Sequence, residues 1–190
     1  MLYINQLDYP DMVYHHNMKE GGAGEYNTVK VAGCGPCSLC MIVENMTYQH
    51  LDLQECLEIS ENVKANMDMG TDLKILGPVI AEKFNMKYGE TSDVKVLQEH
   101  LSKGGMAVAN SGGDREGYTG LLTHGGHYVV VLSWDGTEFC ILDPSYTETK
   151  FHEEGREGKV REEYPFIYVK EADLVKDCEN RDPSFYLFAR

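Results

Sequence analysis

The sequence contains no long hydrophobic run and has few basic residues. No stretch approaches the roughly 18 consecutive apolar residues of a membrane-spanning helix. The N-terminal residues, Met1 to Ile4, are not a basic segment followed by a long apolar one, so we expect no signal peptide. Lysine and arginine number 17 against 31 acidic residues, which gives a formal net charge of −14. This charge argues against a nucleic acid or an anionic membrane as a partner.

The six cysteines lack the even spread of a small disulfide-rich secreted domain. Three of them, Cys34, Cys37 and Cys40, lie too close together on one predicted helix to pair easily with one another. We therefore expect a reducing, cytoplasmic location, although a secreted mature protein without its leader would have the same sequence. An iron–sulfur or zinc site would need a fourth ligand, which neither Glu44 nor a nearby histidine supplies. We expect no metal and no cofactor.

A chain of 190 residues can form one domain with a large core. Helical patterns follow a polar, aromatic-rich arm, residues 1–33, in which residues 21–24 form a predicted flexible loop. Strand patterns fill the second half. We therefore predict a single α+β domain over residues 1–190, with a helical part at about 34–103 and an antiparallel sheet at about 104–190.

The predicted helices share an apolar stripe, and they are 36–46, 51–63, 72–84, 93–102 and 170–178. We predict Thr71 and Ser92 as N-cap residues of the third and fourth helices. The predicted strands are rich in apolar and β-branched residues, and they are 106–109, 127–134, 139–142, 166–169 and 185–188. Residues 111–126 form a predicted glycine-rich loop. Residues 150–165 are highly charged and are predicted to be a solvated excursion, rather than an insertion beside a substrate groove.

The segment Gly33-Cys34-Gly35-Pro36 places a cysteine in a glycine-flanked turn before an apolar helical run. Pro36 suits the first turn of a helix, where its missing N–H costs nothing. The positive end of the helix dipole favours a thiolate at Cys34, and a thiolate is a nucleophile. Cys37 and Cys40 are predicted to be small packing residues of the same helix.

A cysteine nucleophile needs a base, and the base needs a group that orients it. Two of the seven histidines lie close to the strongest predicted strand. His127 directly precedes that strand and would be held rigidly, whereas His124 lies in the glycine-rich loop. His127 is therefore the preferred base, with a plain strand-edge histidine as the alternative reading.

The hairpin that follows His127 determines which carboxylate lies near it. With a three-residue turn at 135–137, Trp134 pairs with Glu138 and Val129 faces Asp143. His127 and Asp143 are then diagonal neighbours on one face, about 7–8 Å apart at Cα, which is within reach of a side-chain hydrogen bond. A two-residue turn would place them on opposite faces, so the pattern permits this pair without requiring it. Asp143 before Pro144 would otherwise be a turn residue.

Four segments in this order resemble the bacteriocin-processing-peptidase-like branch of the papain-like cysteine peptidases: Asn5-Gln6-Leu7-Asp8-Tyr9, Gly33-Cys34-Gly35-Pro36, Gly126-His127-Tyr128-Val129-Val130-Val131 and Leu142-Asp143-Pro144. The resemblance implies a papain-like fold with Cys34 as nucleophile, His127 as base and then acid, and Asp143 as the orienting group. It also implies Gln6 as an oxyanion donor. The chain departs from the family at Cys37 and Cys40, where Thr and Ala are common.

The resemblance implies a thiol hydrolase that cleaves a peptide or amide bond. Three alternatives remain open from the sequence. The first is an acyltransferase that uses the same thioester intermediate. The second is a peptide-binding domain without catalysis, and the third is a redox protein that uses Cys34 and Cys37. The acidic composition weakly favours a basic or neutral peptide as the substrate.

Overall fold

The computed structural model describes residues 1–15, 28–67 and 70–190. The predicted flexible loop at residues 21–24 lies outside the described residues. Within them, no helix is both long enough and apolar enough to cross a membrane.

The helices are α1 (Val29–Ala32), α2 (Cys34–Thr47), α3 (Leu53–Asn62), α4 (Leu73–Lys83), α5 (Val94–Ser102) and α6 (Glu171–Cys178). Short 3₁₀ helices occupy Gln6–Asp8 and Lys150–His152. Helix α2 begins two residues before the predicted start, so Pro36 is the third residue of the helix and still lies in its first turn, where no N–H is needed.

Helices α4 and α5 begin one residue later than predicted. Thr71 and Ser92 are the predicted N-cap residues, but Asp72 and Asp93 are the observed ones. Each of these carboxylates accepts the backbone N–H two residues further on, at 2.9 and 2.8 Å. Thr71 instead ends β2, and its hydroxyl bonds the buried Tyr14 hydroxyl at 2.7 Å.

The strands are β1 (Asn66–Met67), β2 (Gly70–Thr71), β3 (Lys87–Thr91), β4 (Met106–Ser111), β5 (His127–Trp134), β6 (Glu138–Leu142), β7 (Val160–Glu163), β8 (Phe166–Lys170) and β9 (Phe185–Ala189). Strands β1 and β2 form a small antiparallel pair. The other seven form one antiparallel sheet in the order β3-β9-β4-β5-β6-β8-β7.

The two edge strands of the sheet differ from the sequence prediction. Strand β3 lies in the part predicted to be helical, and β7 lies in the segment predicted to be a solvated excursion. Edge strands pair on one side only and can keep polar residues, so their apolar pattern is weak. Strand β3 pairs with β9, the last strand of the chain, and this pairing joins the two halves of the sequence.

The β5–β6 hairpin reaches the predicted register near the site by a different route. Trp134 pairs with Phe139 and not with the predicted Glu138, so the connection is one residue longer than expected. A β-bulge between Val131 and Ser133 shifts the pairing back by one residue. Beyond the bulge, Val130 pairs with Leu142, which is the register that the three-residue turn would have produced.

The large sheet separates two hydrophobic clusters. Alternate residues of β5 face opposite sides, so Val130 joins the cluster under α2, α3 and α4, while Val129 and Val131 join the cluster under α5 and α6. Helix α2 packs on β5. Cys37 and Cys40 lie on this helix at 0% exposure, as the packing interpretation requires. This packing brings the N-terminus of α2 towards the beginning of β5.

Candidate active site

Cys34 is the first residue of α2 and is half-buried. Both flanking glycines are required by close packing. A Cβ on Gly33 would collide with the carbonyl oxygen of Val29 in the preceding helix. A Cβ on Gly35 would lie 2.8 Å from Cβ of Thr71, which is closer than two such atoms approach in proteins. The Gly-Cys-Gly sequence thus allows α1, α2 and β2 to converge around the thiol.

His127 and Asp143 lie together at one end of the β5–β6 hairpin. His127 begins β5, and Asp143 directly follows β6. The Nε2 atom of His127 is 2.8 Å from Oδ1 of Asp143. The histidine is 6% exposed and the aspartate is fully buried, so water does not compete for this hydrogen bond.

The candidate nucleophile, Cys34, lies near the same imidazole ring. Cys34 and His127 line the same cavity, and their side chains lie close enough to shift each other's pKa. Because Nε2 of His127 faces Asp143, Nδ1 is the nitrogen left for the sulfur. Three of the residues named from the sequence therefore lie next to one another, in the order thiol, imidazole and carboxylate.

Opposite pKa shifts of Cys34 and His127 favour an ion pair. Burial opposes ionisation of the thiol, but the hydrogen bond and positive charge of His127, together with backbone N–H groups of Tyr128 and Gly35, lower the pKa of Cys34. Burial also opposes the imidazolium, but the charge of Asp143 and the hydrogen bonds to Asp143 and Cys34 raise the pKa of His127. Each side chain therefore stabilises the charged form of its neighbour.

Lys150 is a fourth member of the cluster, and the sequence did not indicate it. Its Nζ lies 2.6 Å from Oδ2 of Asp143 and 2.7 Å from the hydroxyl of Ser145, and the residue is 8% exposed. The same hydroxyl lies 3.0 Å from Nε2 of His127. Burial alone would raise the pKa of Asp143, but the positive charges of Lys150 and His127 hold it well below its usual range.

The segment 150–165 was predicted to be solvated, but Lys150, Phe151 and Arg156 near its beginning are buried. Arg156, which is 2% exposed, donates from Nε to the carbonyl oxygen of Gly120 at 2.7 Å and from Nη1 to that of Lys150 at 3.3 Å. These bonds tie the lysine to the glycine-rich loop. The neighbouring Phe151 is also buried, but one apolar residue in a charged stretch does not indicate a buried lysine.

The glycine-rich loop that leads into the histidine strand is held by Asp177, a fully buried residue of α6. Its carboxylate accepts the hydroxyl groups of Ser111 and Tyr118, at 2.5 and 2.9 Å. It also accepts the backbone N–H groups of Leu121 and Leu122, at 2.5 and 3.2 Å. The loop is thus anchored from inside by one carboxylate.

Gln6 lies beside this cluster but is engaged on both sides. Its backbone N–H donates to the carbonyl oxygen of Pro144 at 2.7 Å, next to Asp143. Its side-chain Nε2 donates to the carbonyl oxygen of Lys30 at 2.7 Å, and Oε1 is buried with no partner among the described residues. One hydrogen of the Nε2 amide is therefore committed, and the second has no partner among the described residues.

A cavity of about 380 Å³ opens at Cys34 and His127. The other described residues that line it are Met67, Gly70, Thr71, Asp72, Asn110, Gly126, Tyr128 and Arg181. Gln6 is not among these described lining residues. The cavity thus gives a bound molecule access to the thiol and the imidazole.

No protein-family model matches the chain, and no curated protein matches it. Among solved structures, that of a candidate C39-like peptidase from Bacillus anthracis matches with a TM-score of 0.61 and 12% sequence identity, over 100% of this chain and 94% of that chain. The chain has the fold of the C39-like peptidases. The predicted α+β papain-like fold is thereby confirmed. At this identity, the C39-like similarity describes the backbone architecture and does not assign roles to side chains.

Proposed function

We propose that the protein is a thiol hydrolase that cleaves a peptide or amide bond, with Cys34 as nucleophile, His127 as base and acid, and Asp143 as the orienting group. The observation that carries the proposal is that Cys34 and His127 line one cavity while His127 is hydrogen-bonded to the buried Asp143. The C39-like fold and the sequence motifs of the bacteriocin-processing-peptidase-like branch agree with it.

The reaction follows from the positions of the two ring nitrogens. His127 holds the proton of Cys34, and the thiolate sulfur attacks the carbonyl carbon of the substrate. Nδ1 then gives its proton to the leaving amine as the C–N bond breaks, which leaves a thioester on Cys34. Water, losing a proton to the same nitrogen, attacks the thioester and releases the carboxylic acid. Asp143 on Nε2 keeps the ring oriented throughout.

The four side chains alternate in charge from thiolate to imidazolium to carboxylate to ammonium. Lys150 bonds one oxygen of Asp143, and His127 bonds the other. A buried charge is tolerated when it is paired and hydrogen-bonded, and here each charge has an opposite neighbour. Lys150 keeps Asp143 ionised, but its positive charge also limits how far the pKa of His127 can rise.

The oxyanion formed during attack needs hydrogen-bond donors. The first N–H groups of α2 have no partner inside the helix, and Cys34 begins that helix. We propose that the Cys34 N–H and the second hydrogen of Gln6 Nε2 supply them. Gln6→Ala is then expected to lower kcat/KM by about 100-fold, as loss of one oxyanion donor does, while leaving the alkylation rate of Cys34 unchanged.

A redox role for Cys34 and Cys37 is less well supported. Cys37 is 0% exposed, and burial raises its pKa well above the ordinary range of a cysteine. A resolving thiol must be accessible and ionisable, and Cys37 is neither. The intact Cys–His–Asp contact also supports catalysis over peptide binding alone.

The proposal is tested by alkylation with iodoacetamide at neutral pH, followed by mass mapping. Cys140 is an internal control, because it is half-buried like Cys34 while burial raises its pKa. We expect Cys34 to be labelled first, and this preference to be lost in His127→Ala. Equal labelling of Cys34 and Cys140 would contradict the proposal. Incubation of a peptide library with the protein and with Cys34→Ser then tests whether bonds are cleaved.

A further inference from the structure

We propose that Arg181 forms an anion-binding subsite beside Cys34, and that the substrate carries a carboxylate close to the bond that is cleaved. This inference rests on the proposed function, because it names the class of substrate for the same site. The acidic composition of the whole chain favours a basic or neutral peptide, but Arg181 in the cavity itself favours an anionic group.

Arg181 lies in the connection between α6 and β9 and lines the cavity that contains Cys34 and His127. Its guanidinium packs against Gly126, the residue directly before His127. A Cβ at position 126 would lie only 2.7 Å from Nη2 of Arg181. The absence of a side chain on Gly126 thus lets the cation approach the end of β5 where the histidine stands.

Within the part of the chain that the structure describes, the Arg181 side chain makes no hydrogen bond or salt bridge, and its Nε is buried without a partner. The other arginines are engaged: Arg115, Arg156 and Arg161 each pair with a carboxylate, and Arg190 donates to a backbone carbonyl oxygen. Nη2 of Arg156 is also buried without a partner among the described residues, so it is the missing ion pair that distinguishes Arg181. The buried Nε is not accessible from the cavity, but a guanidinium that lines a cavity without a carboxylate partner can bind an anion through its terminal N–H groups. The planar fork of a guanidinium fits a carboxylate in particular.

Apart from Arg181 and the Cys34–His127 pair, Asp72 is the charged residue among the described residues that line the cavity. Its carboxylate accepts the N–H of Lys74 at 2.9 Å as the N-cap of α4, where the helix dipole stabilises a negative charge. Asp72 therefore already has a structural role, whereas the charge of Arg181 has no partner among the described residues.

The test compares two alkylating reagents of the same length at Cys34. In both, the thiolate sulfur displaces iodide from a CH₂ group, but iodoacetate carries a carboxylate and iodoacetamide a neutral amide. We expect Arg181→Gln to lower the iodoacetate-to-iodoacetamide rate ratio at Cys34 about fivefold, because one nearby positive charge is removed. Arg181→Lys should retain most of the preference. The effect should shrink in 0.5 M NaCl, where the Debye length is about 4 Å.

Arg161→Gln is the matched control. Arg161 pairs with Glu138 at the turn end of the hairpin, far along β5 from His127, so the ratio should not change. An unchanged iodoacetamide rate in Arg181→Gln would show that the cysteine and histidine are intact. Equal loss of both rates, or no change in either, would overturn the anion subsite. Failure of the proposed function is a separate result: Cys34 of the unsubstituted protein would then react with iodoacetamide no faster than Cys140.

Discussion

Two histidines three positions apart, His124 and His127, both bond carboxylates, yet their surroundings differ. His124 is exposed, and its two ring nitrogens lie 2.9 Å from Asp114 and 2.8 Å from Glu153. His127 is buried and bonds a single carboxylate, that of Asp143. The pKa of His124 is raised mainly by its hydrogen bonds to Glu153 and Asp114. For His127, the charge of Asp143 has to overcome the opposing effect of burial before the pKa can rise.

The difference supports His127 rather than His124 as the proposed base, although the pKa of both histidines is raised. Both nitrogens of His124 are used by carboxylates, so neither is free to exchange a proton with a substrate. One nitrogen of His127 is fixed, and the other faces Cys34. The two histidines therefore differ in the group near the second ring nitrogen, which is a carboxylate for His124 and the thiol of Cys34 for His127.

The two histidines should differ most in their effect on kcat/KM. His127→Ala removes the base and is expected to lower kcat/KM by about 10³-fold or more. His124→Ala should change it less than about threefold, because no step uses that ring. Steady-state kinetics on a peptide identified from the library, with thermal unfolding to verify folding, provide the measurement. Similar losses in both variants would remove the distinction between the two histidines.

Lys150→Met sharpens the comparison by removing a cation whose charge lowers the pKa of the buried His127. Asp143 would lose one partner while remaining buried, and we expect the protein to lose about 3 kcal/mol of unfolding free energy. Lys159→Met, at an exposed position, is the control and should stay within about 0.5 kcal/mol. Urea unfolding measures both, and Lys150→Arg should recover part of the loss.

The same variant should also shift two pH dependences. Asp143 has a lowered pKa, so its contribution to stability is present above about pH 4 and is lost as the pH falls towards its folded pKa. Without Lys150 that pKa rises, and acid unfolding should begin at a higher pH.

The pKa of His127 should rise as well, because the positive charge of Lys150 opposes the imidazolium. The basic limb of the pH–activity profile should therefore move to higher pH. Unchanged pH profiles would limit Lys150 to a packing role.

The smallest effect is expected at His124. Its raised pKa means that its charge contributes stability fully below about pH 6.5, and that this contribution is lost as the pH rises through the folded pKa. Because the pair is exposed, we expect His124→Gln to cost less than about 1 kcal/mol at pH 5.5 and still less at pH 8.5 or in 0.5 M NaCl. A cost that is independent of pH and salt would contradict this assignment.

The parts of the fold that sequence predicted well have local causes. Strand β5 was predicted with its observed bounds because its β-branched residues form one continuous apolar run. The hairpin pattern permits the nearness of His127 and Asp143 without requiring it, and the structure reaches that register through a longer turn and a bulge. Edge strands β3 and β7 carry polar residues and gave no such pattern.

Lys150 could not be predicted because its burial depends on tertiary contacts and not on a local sequence pattern. A lysine between Thr149 and Phe151 carries no local signal of an interior position. It becomes buried because Asp143 attracts it and because Arg156 ties its segment to Gly120. Arg181 was missed for a similar reason, since its relation to Cys34 exists only once α6, β9 and the glycine-rich loop have packed together.

The central claim is that Cys34 and His127 form a thiolate–imidazolium pair at neutral pH. The most direct test is the rate of iodoacetamide alkylation at Cys34 as a function of pH, in the unsubstituted protein and in His127→Ala. We predict that the rate in the unsubstituted protein rises at a pH well below the ordinary cysteine pKa of about 8.5, and that His127→Ala moves the rise to that value or above it. A rise at about pH 8.5 in both proteins would contradict the account.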